Sequence, residues 1–294
     1  MSAPDWKTDG RDWPNAPASR FVNAGGLRWH VQVLDNPGAP ILLLLHGTAA
    51  STHSWRDLAP LLARHFTVVA PDLPGHGFTG RLARPGPVAV ARAVTALVEV
   101  LGLPPGLTIG HSAGAALALT MAHERLARPQ AVIGLGGALL PFPGMAGKLF
   151  PAMARALFVN PLVPQLFAMR ARVPGEVPAF LARSTGSRID ARGLALYERL
   201  MRCSGHVGGA LALMANWDLE PLSAAFPSLD LPVLLAHGEK DRTVPADVAR
   251  TVAGRLPRAR SLILPGLGHL AHEEAPDQHA ALIVDFAREQ GIIR

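Results

Sequence analysis

Lysine, tyrosine and cysteine are nearly missing from this 294-residue chain. A single cysteine, Cys203, excludes an intramolecular disulfide and any cysteine-based metal site. Three lysines stand beside 25 arginines, giving a formal net charge of +6. Arg, Ala, Gly and Pro are all abundant, so the skew reads as genome composition as much as selection for an anionic partner. No nucleic-acid partner is expected. No run of eighteen apolar residues occurs, so no membrane-spanning helix is expected. The N-terminus carries Asp5, Asp9 and Asp12 where a signal peptide would have an apolar core, and the chain reads as cytoplasmic. Charged residues make up 17% and hydrophobic residues 49%, enough for a large core and too apolar for disorder.

What is present is a rhythm. Residues 1–18 form a polar arm, expected to be loosely held. Ser19 to Leu34 flanks Ala24-Gly25-Gly26 and reads as a β-hairpin. Ile41–Leu45 and Phe66–Ala70 are apolar on both faces, as central strands covered by helices must be. A helical period follows over Val88–Leu101, then a strand at Leu107–Ile109, a helix at Ala113–Leu126 and a strand at Ala131–Leu135. The alternation then stops. From about Ala138 to Phe226 only helical segments broken by prolines appear, before strand and helix resume at Pro232. The expected fold class is α/β. It is a mostly parallel, doubly wound sheet of about eight strands, with core segments 19–137 and 228–294 and a helical lid, 138–227, after the sixth strand.

Gly110-His111-Ser112-Ala113-Gly114 is a G-x-S-x-G string directly after a strand and directly before a helix. Such a turn lifts the serine hydroxyl clear of the sheet, and the flanking glycines let strand and helix approach. A serine needs a base, and the base needs an acid to hold its tautomer. Gly266-Leu267-Gly268-His269 follows the last strand and offers His269 at the same sheet edge. Asp241 follows the strand ending at Ala236 and is the chosen acid, with Glu239 its close rival. The loop one strand earlier, Gly136 to Leu140, holds no carboxylate. Backbone N–H groups of Thr48 and Ala113 are the candidate oxyanion donors. His272 and His279 are expected at the surface, His76 as a loop residue, and His46 as a prop for the oxyanion loop. No metal-ligand spacing and no cofactor motif is found.

The lid stretch holds five of the seven Met and six of the ten Phe, and nine Lys/Arg against five acids. A pliable apolar wall with a basic rim suits a small hydrophobic ligand, an acidic greasy one, or peripheral contact with an anionic membrane. A solvated basic face over an ordinary lid accounts for the same composition. The candidate pocket residues are His46, His111, Phe142, Met145, Met153 and Trp217.

The ordered triad, the Asp72-Leu73-Pro74-Gly75-His76-Gly77 string and the Gly266–His269 loop resemble the α/β-hydrolase superfamily over roughly residues 19–290. Ser112 at the elbow sets the chain apart from relatives with an aspartate nucleophile. Three further strings carry a narrower likeness: Asp12-Trp13-Pro14-Asn15 running into Ser19–Gln32, His46-Gly47-Thr48 through Leu58, and Met214–Leu219. They resemble the magnesium-chelatase accessory α/β-hydrolase of bacteriochlorophyll synthesis. That likeness implies a tetrapyrrole ligand, such as magnesium protoporphyrin or its ester, and magnesium chelatase as a partner. Three functions stay open at this point: a hydrolase of an ester, thioester or amide, a non-catalytic tetrapyrrole- or chelatase-binding accessory, and a general carboxylesterase or lipase.

Overall fold

The computed structural model describes residues 3–141, 160 and 162–294. Eight strands form one sheet in the order β1-β2-β4-β3-β5-β6-β7-β8. They are β1 (Ser19–Ala24), β2 (Leu27–Leu34), β3 (Ile41–Leu45), β4 (Thr67–Pro71), β5 (Leu107–His111), β6 (Ala131–Leu135), β7 (Val233–Gly238) and β8 (Ala259–Leu264). The first two make the expected hairpin, with Ala24 opposite Leu27, and β2 runs antiparallel to β4. All later pairings are parallel.

The all-leucine run of β3 shows why the sheet is covered on both faces. Successive side chains of a strand point to opposite sides. Leu43 and Leu45 join one core with α3 (Pro87–Leu101) and α4 (Ala113–His123). Leu42 and Leu44 join the other, with Phe66 and residues of α2 (Leu58–Leu62) and the C-terminal α12 (Pro276–Glu289). All four leucines are fully buried. Each contributes roughly 1.5–3 kcal/mol, which alternating polar residues could not supply.

Three short helices complete the core: α1 (Trp6–Asp9), α10 (Asp247–Ala253) and α11 (Ala271–Glu274). Among the described residues, five more lie between β6 and β7: α5 (Val163–Arg170), α6 (Glu176–Thr185), α7 (Ala191–Met201), α8 (Ser204–Ala215) and α9 (Glu220–Ala225). They are the helical lid after the sixth strand. Helix α8 lies directly on the loop after β4. A Cβ at Gly209 would overlap the carbonyl of Gly75, so this contact requires glycine.

Two expectations need correction. The N-terminal arm is not loose. Trp6 packs edge-on against Phe21 and Phe78, and Trp13 is buried with its indole N–H on Thr52 Oγ1 at 3.0 Å. Two tryptophans anchor an otherwise polar segment, because each buries a large aromatic area. His272 and His279 are not at the surface either. Both are buried, and His272 Nε2 lies 2.9 Å from Ser54 Oγ.

Candidate active site

Ser112 sits between β5 and α4 with φ 51° and ψ −114°, a conformation that a residue with a side chain rarely adopts. Two glycines make the turn possible. A Cβ at Gly110 would overlap the Gly114 backbone, and one at Gly114 would overlap the Leu45 carbonyl. The elbow is tied down by Ser112 N–H on the Leu135 carbonyl at 2.9 Å and by Ala138 N–H on the Ser112 carbonyl at 3.2 Å. Ser112 is half-buried, whereas its neighbours His111 and Ala113 are buried.

His269 lies on the loop after β8, at the same C-terminal sheet edge. Its Nδ1 is 2.7 Å from Asp241 Oδ2, and the Asp241 carboxylate is fully buried. Asp241 Oδ1 accepts the N–H groups of Thr243 and Val244, both at 2.8 Å. The carboxylate is therefore held at both oxygens. Glu239 is engaged elsewhere, accepting Gly266 N–H at 2.9 Å. Between the two rivals, Asp241 is the one on the imidazole. With Nδ1 facing a carboxylate, the neutral ring keeps its proton there and leaves Nε2 as an acceptor. The ring of His111, next to Ser112, is 4.7 Å from that of His269. A Cβ at Gly136 would come 3.1 Å from His269 Nδ1, so the loop after β6 closes on the same imidazole. Among the described residues no hydrogen bond joins Ser112 to His269. Such contacts are often open in unliganded sites and tighten with substrate.

The loop after β3 passes close to the serine. A Cβ at Gly47 would lie 3.0 Å from Ser112 Cβ, and glycine lets the loop come this near. Among the described residues, the N–H groups of Thr48 and Ala113 have no hydrogen-bond partner. Two free amides beside a serine can receive a developing oxyanion.

The pocket candidates divide. His46 props the loop: its Nδ1–H donates to the Gly47 carbonyl and its Nε2 accepts Leu73 N–H, both at 2.8 Å. His111 Nε2–H donates to the His269 carbonyl at 3.0 Å, so it ties the backbone of the His269 loop to the elbow. Burial holds the pKa of both rings below the ordinary histidine value. Trp217 is half-buried against the main core. Phe142, Met145 and Met153 lie outside the described residues. An open polar cleft of about 550 Å³ borders Asp241, Lys240 and Arg188, and neither Ser112 nor His269 lines it. Among the described residues no group of three His, Cys, Asp or Glu could hold a metal ion.

Sequence reasoning assigned no role to Asp72, although it noted the string that contains it. Its buried carboxylate accepts Thr52 N–H at 2.7 Å and Phe78 N–H at 2.9 Å, and lies 2.8 Å from His30 Nδ1. It thus joins β2 to the loops after β3 and β4. Burial alone would raise this carboxyl, but the adjacent His30 and these hydrogen bonds hold its pKa well below the usual carboxylate range. Two further residues went unnoticed. Glu273 accepts the hydroxyls of Ser54 and Tyr197 at 2.6 and 2.7 Å, and His206 reaches from the cap into both core loops.

This sheet, with its elbow serine and its histidine–carboxylate pair at one edge, is the architecture of a hydrolase fold. The family model for the alpha/beta hydrolase fold matches residues 40–276, and the chain belongs to that family. Its relatives include the magnesium-chelatase 30 kDa subunit of Rhodobacter capsulatus, 41% identical over 94% of this chain and 96% of that protein. A pimeloyl-[acyl-carrier protein] methyl ester esterase of Xanthomonas campestris is 32% identical over 87% of this chain and 98% of its own length. Among solved structures, a putative lipase from Acinetobacter baumannii superposes with a TM-score of 0.78 at 21% identity, covering 99% of this chain and 98% of that one. That likeness concerns the fold alone. Among the described residues no helix is long and apolar enough to cross a membrane.

Proposed function

We propose that the chain is a serine hydrolase that works alongside magnesium chelatase, on a tetrapyrrole bearing an ester. The His269–Asp241 pair, set at the sheet edge that also carries the strained elbow of Ser112, supports this reading most directly. Ser112 Oγ attacks the ester carbonyl while His269 Nε2 takes the hydroxyl proton. Asp241 keeps the resulting imidazolium in place. The Thr48 and Ala113 amides receive the negative charge on the carbonyl oxygen, aided by the N-terminus of α4. The tetrahedral species collapses as His269 returns the proton to the departing alcohol. Water, deprotonated by the same imidazole, then cleaves the acyl-enzyme to a carboxylic acid and free Ser112.

The chelatase comes from the relative in Rhodobacter capsulatus, a magnesium-chelatase 30 kDa subunit that matches over nearly the whole chain, and the tetrapyrrole from the resemblance carried by the Asp12–Asn15, His46–Leu58 and Met214–Leu219 strings. The cap is compatible with such a partner. Among its described residues, the large apolar side chains of Leu162, Leu166, Phe167, Met169, Val173 and Phe180 are exposed to solvent. Exposed apolar side chains in such number suit a protein surface or the rim of a membrane.

The relative's name as a chelatase subunit is equally compatible with a second reading, in which the fold binds the chelatase or its tetrapyrrole without chemistry. A strain lacking this gene and complemented with Ser112→Ala separates the two. The hydrolytic reading predicts that the folded variant fails to restore pigment. Full restoration would leave only the accessory role. Titration with magnesium protoporphyrin and its methyl ester, followed by chromatography for freed acid, identifies the substrate. A bound but unaltered ester would support the accessory reading.

A further inference from the structure

The loop that offers the Thr48 amide is held from several sides, by His46, by Asp72 through Thr52 and by the cap. Its turn is closed by Ala50 N–H on the Gly47 carbonyl at 3.2 Å, and Ala49 within it has φ 63°. A left-handed conformation in a residue with a Cβ persists only when its surroundings enforce it. One restraint comes from the cap. His206, in the first turn of α8, donates from Nε2–H to the Ala49 carbonyl at 3.0 Å. Its other nitrogen, Nδ1, accepts the N–H of Gly77 in the loop after β4, also at 3.0 Å. One ring therefore clamps two core loops. Only the neutral tautomer with its proton on Nε2 makes both bonds.

The surroundings keep the ring in that form. His206 is 1% exposed, and burial pushes its pKa down to about 4. The imidazole of His76 faces it edge-on at 5.4 Å, and that of His46 faces His76 at the same distance. The helix that carries His206 is itself anchored to the core. Arg81 donates to the Gly205 carbonyl, and Gly209 rests on the backbone of Gly75. The oxyanion loop is thereby referenced to α8 and not only to the sheet.

We infer that His206 is a positioning residue for hydrolysis, aiming the Thr48 amide from the cap so that the oxyanion site is complete only while α8 is seated. This rests on the triad reading above, since Thr48 has a catalytic use only if Ser112 is acylated. Removing an oxyanion donor outright slows turnover about 10²- to 10³-fold, and a displacement near 1 Å can cost 10²-fold. Releasing Ala49 moves the donor without deleting it, so a loss of about 10- to 100-fold in kcat is expected. KM should change little, because the restraint acts on the transition state rather than on binding.

The test compares wild type, Ser112→Ala, His206→Phe and His206→Gln on p-nitrophenyl acetate, with amide hydrogen exchange of the segment 46–54. His206→Phe keeps the ring and removes both bonds. It should lower kcat by about 10- to 100-fold, leave KM within about threefold, and speed exchange of that segment at least about tenfold. His206→Gln retains a donor and an acceptor and should recover most of kcat. If His206→Phe keeps wild-type kcat while Ser112→Ala is inactive, the positioning role falls and the triad stands. A rise in KM at unchanged kcat would make His206 a binding residue and overturn the inference. If wild type and Ser112→Ala hydrolyse the ester equally, the triad reading falls and takes this one with it. Should the Phe variant fail to fold, His206→Gln decides: wild-type exchange with no kinetic recovery refutes the clamp.

Discussion

Asp72→Asn is a one-atom change whose effect follows from the hydrogen bonds that converge on it. Oδ1 accepts Thr52 N–H, and Oδ2 accepts Phe78 N–H while facing His30 Nδ1. The side chain is wholly buried. Asparagine keeps one acceptor, which can serve Thr52 with a neutral instead of a charged oxygen, at a loss of about 1 kcal/mol. Its amide then points a donor at the N–H of Phe78, which is left without a partner, costing about 1–3 kcal/mol more. His30 can adapt by changing tautomer. The expected loss is about 2–4 kcal/mol, or roughly 5–15 °C in Tm for a domain of this size. The pH dependence follows from the depressed folded-state pKa of Asp72. Its contribution is present above the unfolded carboxylate value, about 3.9, and is lost as pH falls below it. Guanidinium unfolding of both proteins at pH 7 and pH 3.5 measures this. The gap should narrow in acid. A variant within 0.5 kcal/mol of wild type at pH 7 (roughly the scatter of an ordinary surface change) would refute the hub.

Ser112→Gly should raise stability while abolishing turnover, because glycine adopts φ 51° without strain. Relief of about 1–3 kcal/mol, less about 0.5–1 for the added flexibility of the unfolded chain, predicts a net gain of up to about 2.5 kcal/mol by thermal unfolding. A loss of stability would mean the elbow is unstrained. Glu273→Gln tests the buried carboxyl whose pKa burial raises to about 7, against the opposing hydrogen bonds of Ser54 and Tyr197. A raised folded-state pKa makes the wild type lose stability as pH climbs from about 4.5 to 7, since only the unfolded chain releases its proton freely there. The variant should lack that slope and gain roughly 3 kcal/mol relative to wild type between pH 4.5 and 8. Parallel stability curves would contradict it. Gly209→Ala should cost about 1–3 kcal/mol and lower kcat as well, since its methyl group meets the Gly75 carbonyl and lifts α8. An unaffected kcat would separate cap seating from chemistry.

The sheet was legible because its central strands are apolar on both faces, a pattern that depends only on neighbours in sequence. The elbow was legible for a related reason, as close approach of β5 and α4 demands glycine at fixed offsets from the serine. Asp241 and His269 could be chosen because each follows a strand at a predictable edge. What escaped depends on partners far along the chain. The arm looked loose because the residues that receive its tryptophans, Phe21, Phe78 and Thr52, give no sign of it locally. His272 reads as a polar residue near a surface helix, yet its partner Ser54 lies 218 positions away. His206 sits in an unremarkable Ser-Gly-His-Val-Gly-Gly segment, with partners 129 and 157 positions away. Buried polar networks of this kind are set by tertiary geometry rather than by local pattern.

The direct measurement is mass spectrometry of the peptide containing Ser112 after treatment with a fluorophosphonate, comparing wild type with His269→Gln and Asp241→Asn. A hydrolytic triad predicts a single phosphonyl adduct on Ser112 in the wild type, with labelling slowed at least about a hundredfold in either variant. Equal labelling of all three proteins, or none at Ser112, would contradict it.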